Sequence, residues 1–240
     1  MKEKIRKVIL FICVCVFIYS AFQLGKIFYD YYMIDKQTNE IIQEYVAEPE
    51  EDNDPLHRIV NFDELKKTNQ DIIGWLYIPD TKIDEPILKG KNNDSYLHTD
   101  FYKKSNKAGS VFIDEINNPD FQDDNTIIYG HNMKNGSRFH DLRYFVEKDF
   151  FKKHSLVYIY LPNGTIQVYQ VFASMIISAH SDLYQKGIDY EKYIKDVKKH
   201  ASLFEEPKTK QEPLIMLSTC YNGTDDRYVV YGQLKDTVKE

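Results

Sequence analysis

Residues 8–25 contain no Asp, Glu, Lys or Arg, and Val8, Ile9, Leu10, Phe11, Ile12, Phe17, Ile18 and Phe22 make this run strongly apolar. A helix of that length rises about 27 Å, close to the apolar thickness of a bilayer. The chain's net charge of −6 includes +3 from Lys2, Lys4, Arg6 and Lys7 against Glu3, which leaves −9 for the remainder. Positive charge before the apolar run and acidic residues after it predict a single-pass protein of the cell membrane with its N-terminus inside and its C-terminus outside. A cleaved signal peptide is the rival reading, and Ser20-Ala21-Phe22 is a poor small-residue cleavage site for it. The expected layout is a cytoplasmic tail at 1–7, a transmembrane anchor at 8–25, a juxtamembrane helix and acidic linker at 26–56, and an extracellular domain at 57–240. An acidic domain of this kind excludes nucleic acid as a partner.

Beyond the anchor, Ile34, Ile41 and Tyr45 recur at helical spacing among polar residues and predict an amphipathic helix that ends before Pro49. Residues 48–55 carry two prolines and no apolar side chain, the composition of a solvated linker. A short helix is expected over 61–69, capped by Asn61. From Ile72 onward the pattern becomes short β-rich runs at 73–78, 82–88, 110–113, 126–129, 156–161, 165–178, 214–219 and 228–234. The 19 tyrosines and 14 phenylalanines suit strands better than a helical bundle. Eight strands at this spacing predict a mainly β, α+β fold built on a closed or nearly closed barrel. Asn135-Gly136, Asn163-Gly164 and Asn222-Gly223 read as tight turns, although each also begins a formal glycosylation sequon. Two helices interrupt the strands. One has an apolar face of Phe139, Leu142, Phe145, Val146 and Phe150; the other, capped by Asp189, presents Tyr190, Tyr193, Ile194, Val197, Ala201 and Phe204.

Cys13 and Cys15 lie inside the apolar run, so Cys220 is the one thiol of the outer domain and has no disulfide partner there. It is either buried and inert or exposed for a reason. Leu214-Ile215-Met216-Leu217 reads as a strand buried on both faces, and Cys220 stands where that strand leaves the core. A two-residue turn at Gly223-Thr224 sets Arg227 opposite Cys220; one at Asn222-Gly223 sets it opposite Ser218, on the same face. A guanidinium there can steady the oxyanion formed when a thiolate attacks an amide, or it can simply pair with Asp225 or Asp226 on the surface. A thiol of ordinary pKa, about 8.5, also needs a base. His57, His154 and His200 stand in polar, exposed contexts, which leaves His98, His131, His140 and His180. His131 directly follows a strand end.

No His-Glu-x-x-His run, paired Cys-x-x-Cys or phosphate-cradling glycine loop occurs, so the expectation is no metal and no cofactor, with full activity in a chelator. Papain-like peptidases place the cysteine before the histidine and at a helix N-terminus; here His131 precedes Cys220 by 89 residues. A hydrolytic surface peptidase and a non-catalytic peptide-binding adaptor with an inert Cys220 are the remaining alternatives.

Leu217-Ser218-Thr219-Cys220 resembles the signature strand end of the sortases, Tyr129-Gly130-His131-Asn132-Met133 resembles their histidine segment, and Arg227 matches their arginine on the next strand. Asp71-Ile72-Ile73-Gly74-Trp75-Leu76, Gly90-Lys91-Asn92-Asn93 with Tyr96-Leu97, and the long helix before the cysteine strand are similar to class B members in particular. The resemblance implies an eight-stranded barrel transpeptidase with N-terminal helices, on the outer face of a Gram-positive bacterium. Such an enzyme cuts a sorting-signal peptide of an exported protein, holds a thioacyl intermediate and passes it to a peptidoglycan peptide amine. By the same resemblance Cys220 is the nucleophile, His131 the general acid and base, and Arg227 the holder of substrate and oxyanion. Asn93, Leu97, Ser218 and Thr219 then line the substrate groove. The Cys220–Arg227 interval is shorter than in some class B members, which implies different loop contacts with the signal.

Overall fold

The computed structural model describes residues 2–49, 54–208, 211–221 and 223–239. The chain divides into two compact units, Met1–Glu40 and Ile41–Glu240. The first lies within α1 (Lys2–Tyr45), a helix that runs unbroken from the basic end through the apolar run. Among the described residues α1 is the one helix long and apolar enough to cross a membrane. The apolar side chains of residues 8–25 are uncovered, with Phe11, Phe17 and Phe22 each about 70% exposed (69, 74 and 69%), a pattern that suits lipid rather than water.

The second unit opens with the last turn of α1, whose Ile41 and Tyr45 are buried with Leu65 and Trp75. The helix stops at Tyr45, short of Pro49, because β1 (Val46–Ala47) pairs with β2 (Ile59–Val60) and the Asn61 N–H donates to the Tyr45 carbonyl at 2.8 Å. Positions 50–53 of the expected acidic linker fall outside the described residues. The short helix α2 (Phe62–Thr68) forms as expected, with Asn61 Oδ1 accepting from the Glu64 N–H at 3.2 Å.

The barrel strands are β3 (Ile72–Tyr77), β4 (Asp84–Leu88), β5 (Val111–Ile113), β6 (Asn125–Tyr129), β7 (Leu156–Tyr160), β8 (Thr165–Ser178), β10 (Leu214–Cys220) and β11 (Asp226–Lys239). Neighbours run β11-β10-β6-β5-β4-β3-β7-β8, and pairing of β8 with β11 closes this ring of eight, as the strand spacing predicts. The short β9 (Leu203–Phe204) adds to β8 outside the ring through Ala173↔Phe204 and Ser174↔Leu203. Of the Asn-Gly turns, Gly136, Gly164 and Gly223 all adopt positive φ, the conformation a glycine supplies without strain; Asn222 lies outside the described residues.

Two differences from the expected helices have physical causes. Residues 139–150 do not form one α-helix: Phe139–Val146 is 3₁₀, followed by α3 (Lys148–Lys153). Phe139, Leu142 and Phe145 are the buried positions, and a spacing of three is the 3₁₀ repeat, which stacks them on one line toward the core. The second helix, α4 (Tyr190–His200), is capped by Asp189 Oδ1 on the Lys192 N–H at 3.3 Å and buries Tyr193 and Val197, but it stops short of the expected Ala201 and Phe204, because Leu203–Phe204 pairs with β8 as β9. His154, expected to be exposed, is buried instead: its Nδ1–H donates to the Pro79 carbonyl at 2.9 Å and its ring lies 4.1 Å from that of Phe150.

Side chains alternate between two cores along each strand. Ile215 and Leu217 of β10, Tyr228 and Val230 of β11 and Ile128 of β6 fill the barrel interior. Leu214, Met216, Val229, Tyr231 and Ile127 face outward under Tyr193 and Val197 of α4. That parity decides where the strand-end residues point.

A buried ion pair stands beside this core. Arg138 Nη1 donates to both carboxylate oxygens of Glu85 at 2.8 and 2.7 Å, and Nε donates to the Gly109 carbonyl at 3.2 Å. Burial pushes the Glu85 carboxyl upward while Arg138 opposes it. Arg138→Met therefore strands a buried carboxylate and lowers stability by about 3–5 kcal/mol. Urea unfolding followed by circular dichroism measures this, and an unchanged midpoint would contradict it.

Candidate active site

The register of three adjacent strands assembles the site. Antiparallel pairing of β10 with β11 sets Cys220 directly opposite Arg227, the register that a turn centred on Gly223-Thr224 requires. The loop closes where the Tyr221 N–H donates to the Asp226 carbonyl at 2.9 Å. On the other side β6 runs parallel to β10, with Leu214 beside Asn125 and Ser218 beside Tyr129. The Gly130 N–H extends that ladder by donating to the Ser218 carbonyl at 3.2 Å. His131 and Cys220 each stand two residues beyond the last paired positions, Tyr129 and Ser218, and line the same cleft. All three residues share the outward parity of Leu214, Met216 and Ile127, so thiol, imidazole and guanidinium are carried on the outer face of the sheet.

They line one open cleft of about 240 Å³. Its floor is Tyr129 and Ser218. One wall is Tyr184, whose ring stacks on Tyr129 at 6.3 Å and whose hydroxyl shares a hydrogen bond of 2.8 Å with Ser218 Oγ. Burial pushes the Tyr184 phenol up to about 12 and raises that of Tyr129 as well, so both stay protonated at neutral pH. Tyr129 donates to Asp114 Oδ2 at 2.7 Å.

The opposite wall is the β4–β5 connection, which brings Asn93 and Leu97 to the cleft. Asn93 Nδ2–H donates to Asp114 Oδ2 at 3.2 Å, and its Oδ1 accepts from the Glu115 N–H at 2.8 Å, so the side chain is pinned from both ends. Leu97 contributes its carbonyl to the histidine: His131 Nε2–H donates to it at 2.6 Å. That bond assigns the proton of the neutral ring to Nε2 and leaves Nδ1 as the basic nitrogen. Gly109 allows the approach, since a Cβ there would stand 2.4 Å from the Leu97 oxygen and its φ is +53°. Ser218 and Thr219 also line the cleft. Thr219 has the inward parity of Ile215 and Leu217, and its buried hydroxyl has no hydrogen-bond partner among the described residues. It offers the cleft backbone rather than a side chain.

Arg227 Nη1 donates to the Thr224 and Asp226 carbonyls at 3.2 and 2.9 Å. These bonds fix the base of the guanidinium fork, and among the described residues Nε and Nη2 make no further hydrogen bond, which leaves them for an incoming oxygen. Of the other histidines considered, His98 is exposed and stacks on His131 at 5.7 Å, His140 bonds to Asn132, and His180 is exposed and does not line the cleft. Tyr184 has no counterpart in the sequence reading, because its place depends on how the β8–α4 connection folds back over β6.

Burial holds the His131 pKa below its ordinary value of 6.5; the Leu97 carbonyl opposes this, and the neighbouring His98 and Arg138 add to it. The neutral ring therefore persists to lower pH than in a free histidine. His98→Ala removes one depressing charge and uncovers the ring, both of which raise the value. Imidazole chemical shifts followed by NMR across pH should report His131 titrating at higher pH in the variant; an unchanged or lower midpoint would contradict this assignment of causes.

A larger hollow of about 500 Å³ lies between the end of α1, the β1–β2 pair and the β7–β8 turn. Its buried Arg58 is held by Glu48 at 2.7 Å and by Asp84, and no cysteine or histidine lines it. Among the described residues no group of three or more His, Cys, Asp or Glu is placed to hold a metal ion.

The sortase domain model matches residues 76–235. Sortase B of Listeria monocytogenes is 38% identical over 179 residues, covering 71% of this chain and 72% of its own. A Streptococcus pyogenes class B sortase involved in pilus biogenesis has a solved structure that superposes with a TM-score of 0.69 at 31% identity, covering 73% of this chain and 98% of that one. Sortase B from B. anthracis superposes with a TM-score of 0.72 at 26% identity, over 89% of this chain and 100% of that one.

Proposed function

The chain belongs to the sortase family, in its class B, and from that premise we propose that it is a membrane-anchored transpeptidase working through Cys220. It cuts the C-terminal sorting signal of an exported protein and joins the new carboxyl end to a peptide amine of the cell wall. In the first half-reaction the Cys220 thiol passes its proton to Nδ1 of His131 and the resulting thiolate adds to the scissile carbonyl, while the N–H groups of Arg227 receive the developing oxyanion. The C–N bond then breaks, the departing amine takes a proton from His131, and a thioester remains on Cys220. In the second half-reaction the wall amine adds to the thioester, gives its proton to His131, and the thiolate leaves. No bound metal or cofactor is needed for either step.

One observation carries this reading: Cys220 is flanked by His131 and Arg227 on adjacent strands, facing one open cleft. The groove beside them offers Asn93 and the Leu97 region on one wall, Ser218 on the floor and the Thr219 backbone as substrate contacts. The apolar helix supports residues 8–25 as the anchor, and the basic charge before it supports 1–7 inside; on this reading 26–56 is the juxtamembrane helix and acidic linker and 57–240 the external catalytic domain.

The full chain in detergent micelles, given a library of sorting-signal-like peptides and a wall-peptide amine, should yield amine-joined product. Hydrolysis alone, with no joined product at any amine concentration, would favour the surface peptidase instead. Binding without turnover would favour the adaptor.

A further inference from the structure

The parallel ladder between β6 and β10 ends one residue before His131. Its last backbone bond is Gly130 N–H to the Ser218 carbonyl at 3.2 Å. Beyond it the chain after β6 turns away: Asn132 forms an antiparallel bridge with Arg138, and the Phe139 N–H donates to the His131 carbonyl at 2.9 Å. A regular parallel strand would next donate from the Asn132 backbone to the Cys220 carbonyl. Here the Asn132 side chain makes that bond, Nδ2–H to the Cys220 carbonyl at 2.9 Å. The other end of the same carboxamide is held too, because Oδ1 accepts from His140 Nδ1–H at 2.9 Å.

We infer that Asn132 is a positioning residue for the nucleophile, oriented by His140, and that this pair sets the separation between the Cys220 sulfur and the His131 ring. The inference rests on Cys220 and His131 acting as proposed above. Its physical content is simple. Asn132 adjoins His131 in the chain and grips the peptide unit of Cys220, so one side chain ties the base-bearing segment to the nucleophile-bearing strand where backbone pairing has ended. The orientation of the carboxamide matters, since only its NH₂ end can donate to a carbonyl. The Cys220 carbonyl can only accept, which turns Nδ2 toward it and Oδ1 toward His140, and a proton on His140 Nδ1 then holds the carboxamide in that orientation while the Met133 backbone also bonds the ring. Neither residue lines the cleft, so neither is expected to contact substrate.

The role separates from a general contribution to folding. A loosened tether widens the sulfur–imidazole distance, which weakens proton transfer between the two groups. A misplacement of about 1 Å costs on the order of a hundredfold in rate. Substrate binding, which uses other surfaces, should change little.

The test uses the full chain in detergent micelles with a peptide the wild type cleaves, comparing Asn132→Ala, Asn132→Asp, His140→Ala and His140→Gln, with Cys220→Ala as control. Asn132→Ala should lower kcat about a hundredfold with KM nearly unchanged. It should also shift the pH profile of Cys220 alkylation by iodoacetamide, read by mass spectrometry of the Cys220 peptide, to higher pH. Asn132→Asp, the same shape without a donor, should be no better than alanine. His140→Ala should lose about tenfold, and His140→Gln, whose amide can still donate to Oδ1, should recover most of that loss. Wild-type kcat and alkylation profile in Asn132→Ala, with Cys220→Ala inactive, would overturn this inference and leave the proposed function standing. Recovery of both activity and thermal midpoint by Asn132→Asp would overturn it as well, by showing a role of shape alone. An active Cys220→Ala would overturn the functional reading and the inference with it.

Discussion

Cys220→Ala should reduce peptide cleavage by roughly 10⁴-fold or more, the loss expected when an enzyme that works through a covalent intermediate is deprived of its nucleophile. The effect should be chemical rather than structural. Cys220 is half-exposed at the last position of β10, and what holds it there involves its backbone only: its place opposite Arg227 in the β10–β11 ladder, and its carbonyl, which accepts from Asn132 Nδ2–H. Alanine keeps all of these, so the thermal midpoint should move by no more than a surface substitution does, about 0.5 kcal/mol in stability. Serine should be scarcely better than alanine, because its hydroxyl is far less ionised and His131, with a lowered pKa, is a weak base for it. Steady-state cleavage of the library-selected peptide measures the loss. Activity within tenfold of wild type would remove the covalent route.

Arg227→Ala should cost about 3–4 kcal/mol of transition-state stabilisation, a fall of roughly 10²–10³ in kcat. The argument is geometric. Register sets the guanidinium opposite the thiol, and two loop carbonyls hold Nη1 so that the remaining donors need little reorganisation to meet an oxyanion. Arg227→Lys should recover only a small part, since an ammonium is a point charge and cannot reproduce the planar fork. Stability should change little, because both bonds of Nη1 lie at a surface loop. A rise in KM with kcat unchanged would reassign Arg227 to ground-state binding; no change in either would return it to the surface-pairing alternative with Asp225 or Asp226.

Much of this site is legible in sequence because it is built from strand register, and register follows local rules. The continuous apolar run of residues 214–217, the turn chemistry at Gly223-Thr224 and the parity of β strands suffice to set Arg227 on the face of Cys220. The parallel pairing of β6 with β10 is not local, and only the family resemblance singled out His131 from His98, His140 and His180. The eight barrel strands announce themselves as short β-rich or apolar runs between turn residues. The β1–β2 pair and β9 are two residues each, too short for any period to register.

The misread segments fail for the same reason. A spacing of three at Phe139, Leu142 and Phe145 fits both an α-helix and a 3₁₀ helix over so short a stretch. His154 looks exposed among lysines and serine, yet the turn after α3 tucks it onto Phe150 and the Pro79 carbonyl, partners 4 and 75 residues away. Tyr184, the Leu97 carbonyl and the Asn132–His140 pair belong to connections between strands. Their positions are decided by tertiary packing, which no periodicity encodes.

The most direct measurement is the intact mass of the full chain, acid-quenched during turnover of a cleavable peptide without an acceptor amine. The account predicts a species heavier by the N-terminal half of the peptide, mapping to Cys220 on digestion and discharged when amine is added. Product formation with no such adduct, or an adduct on a residue other than Cys220, would contradict it.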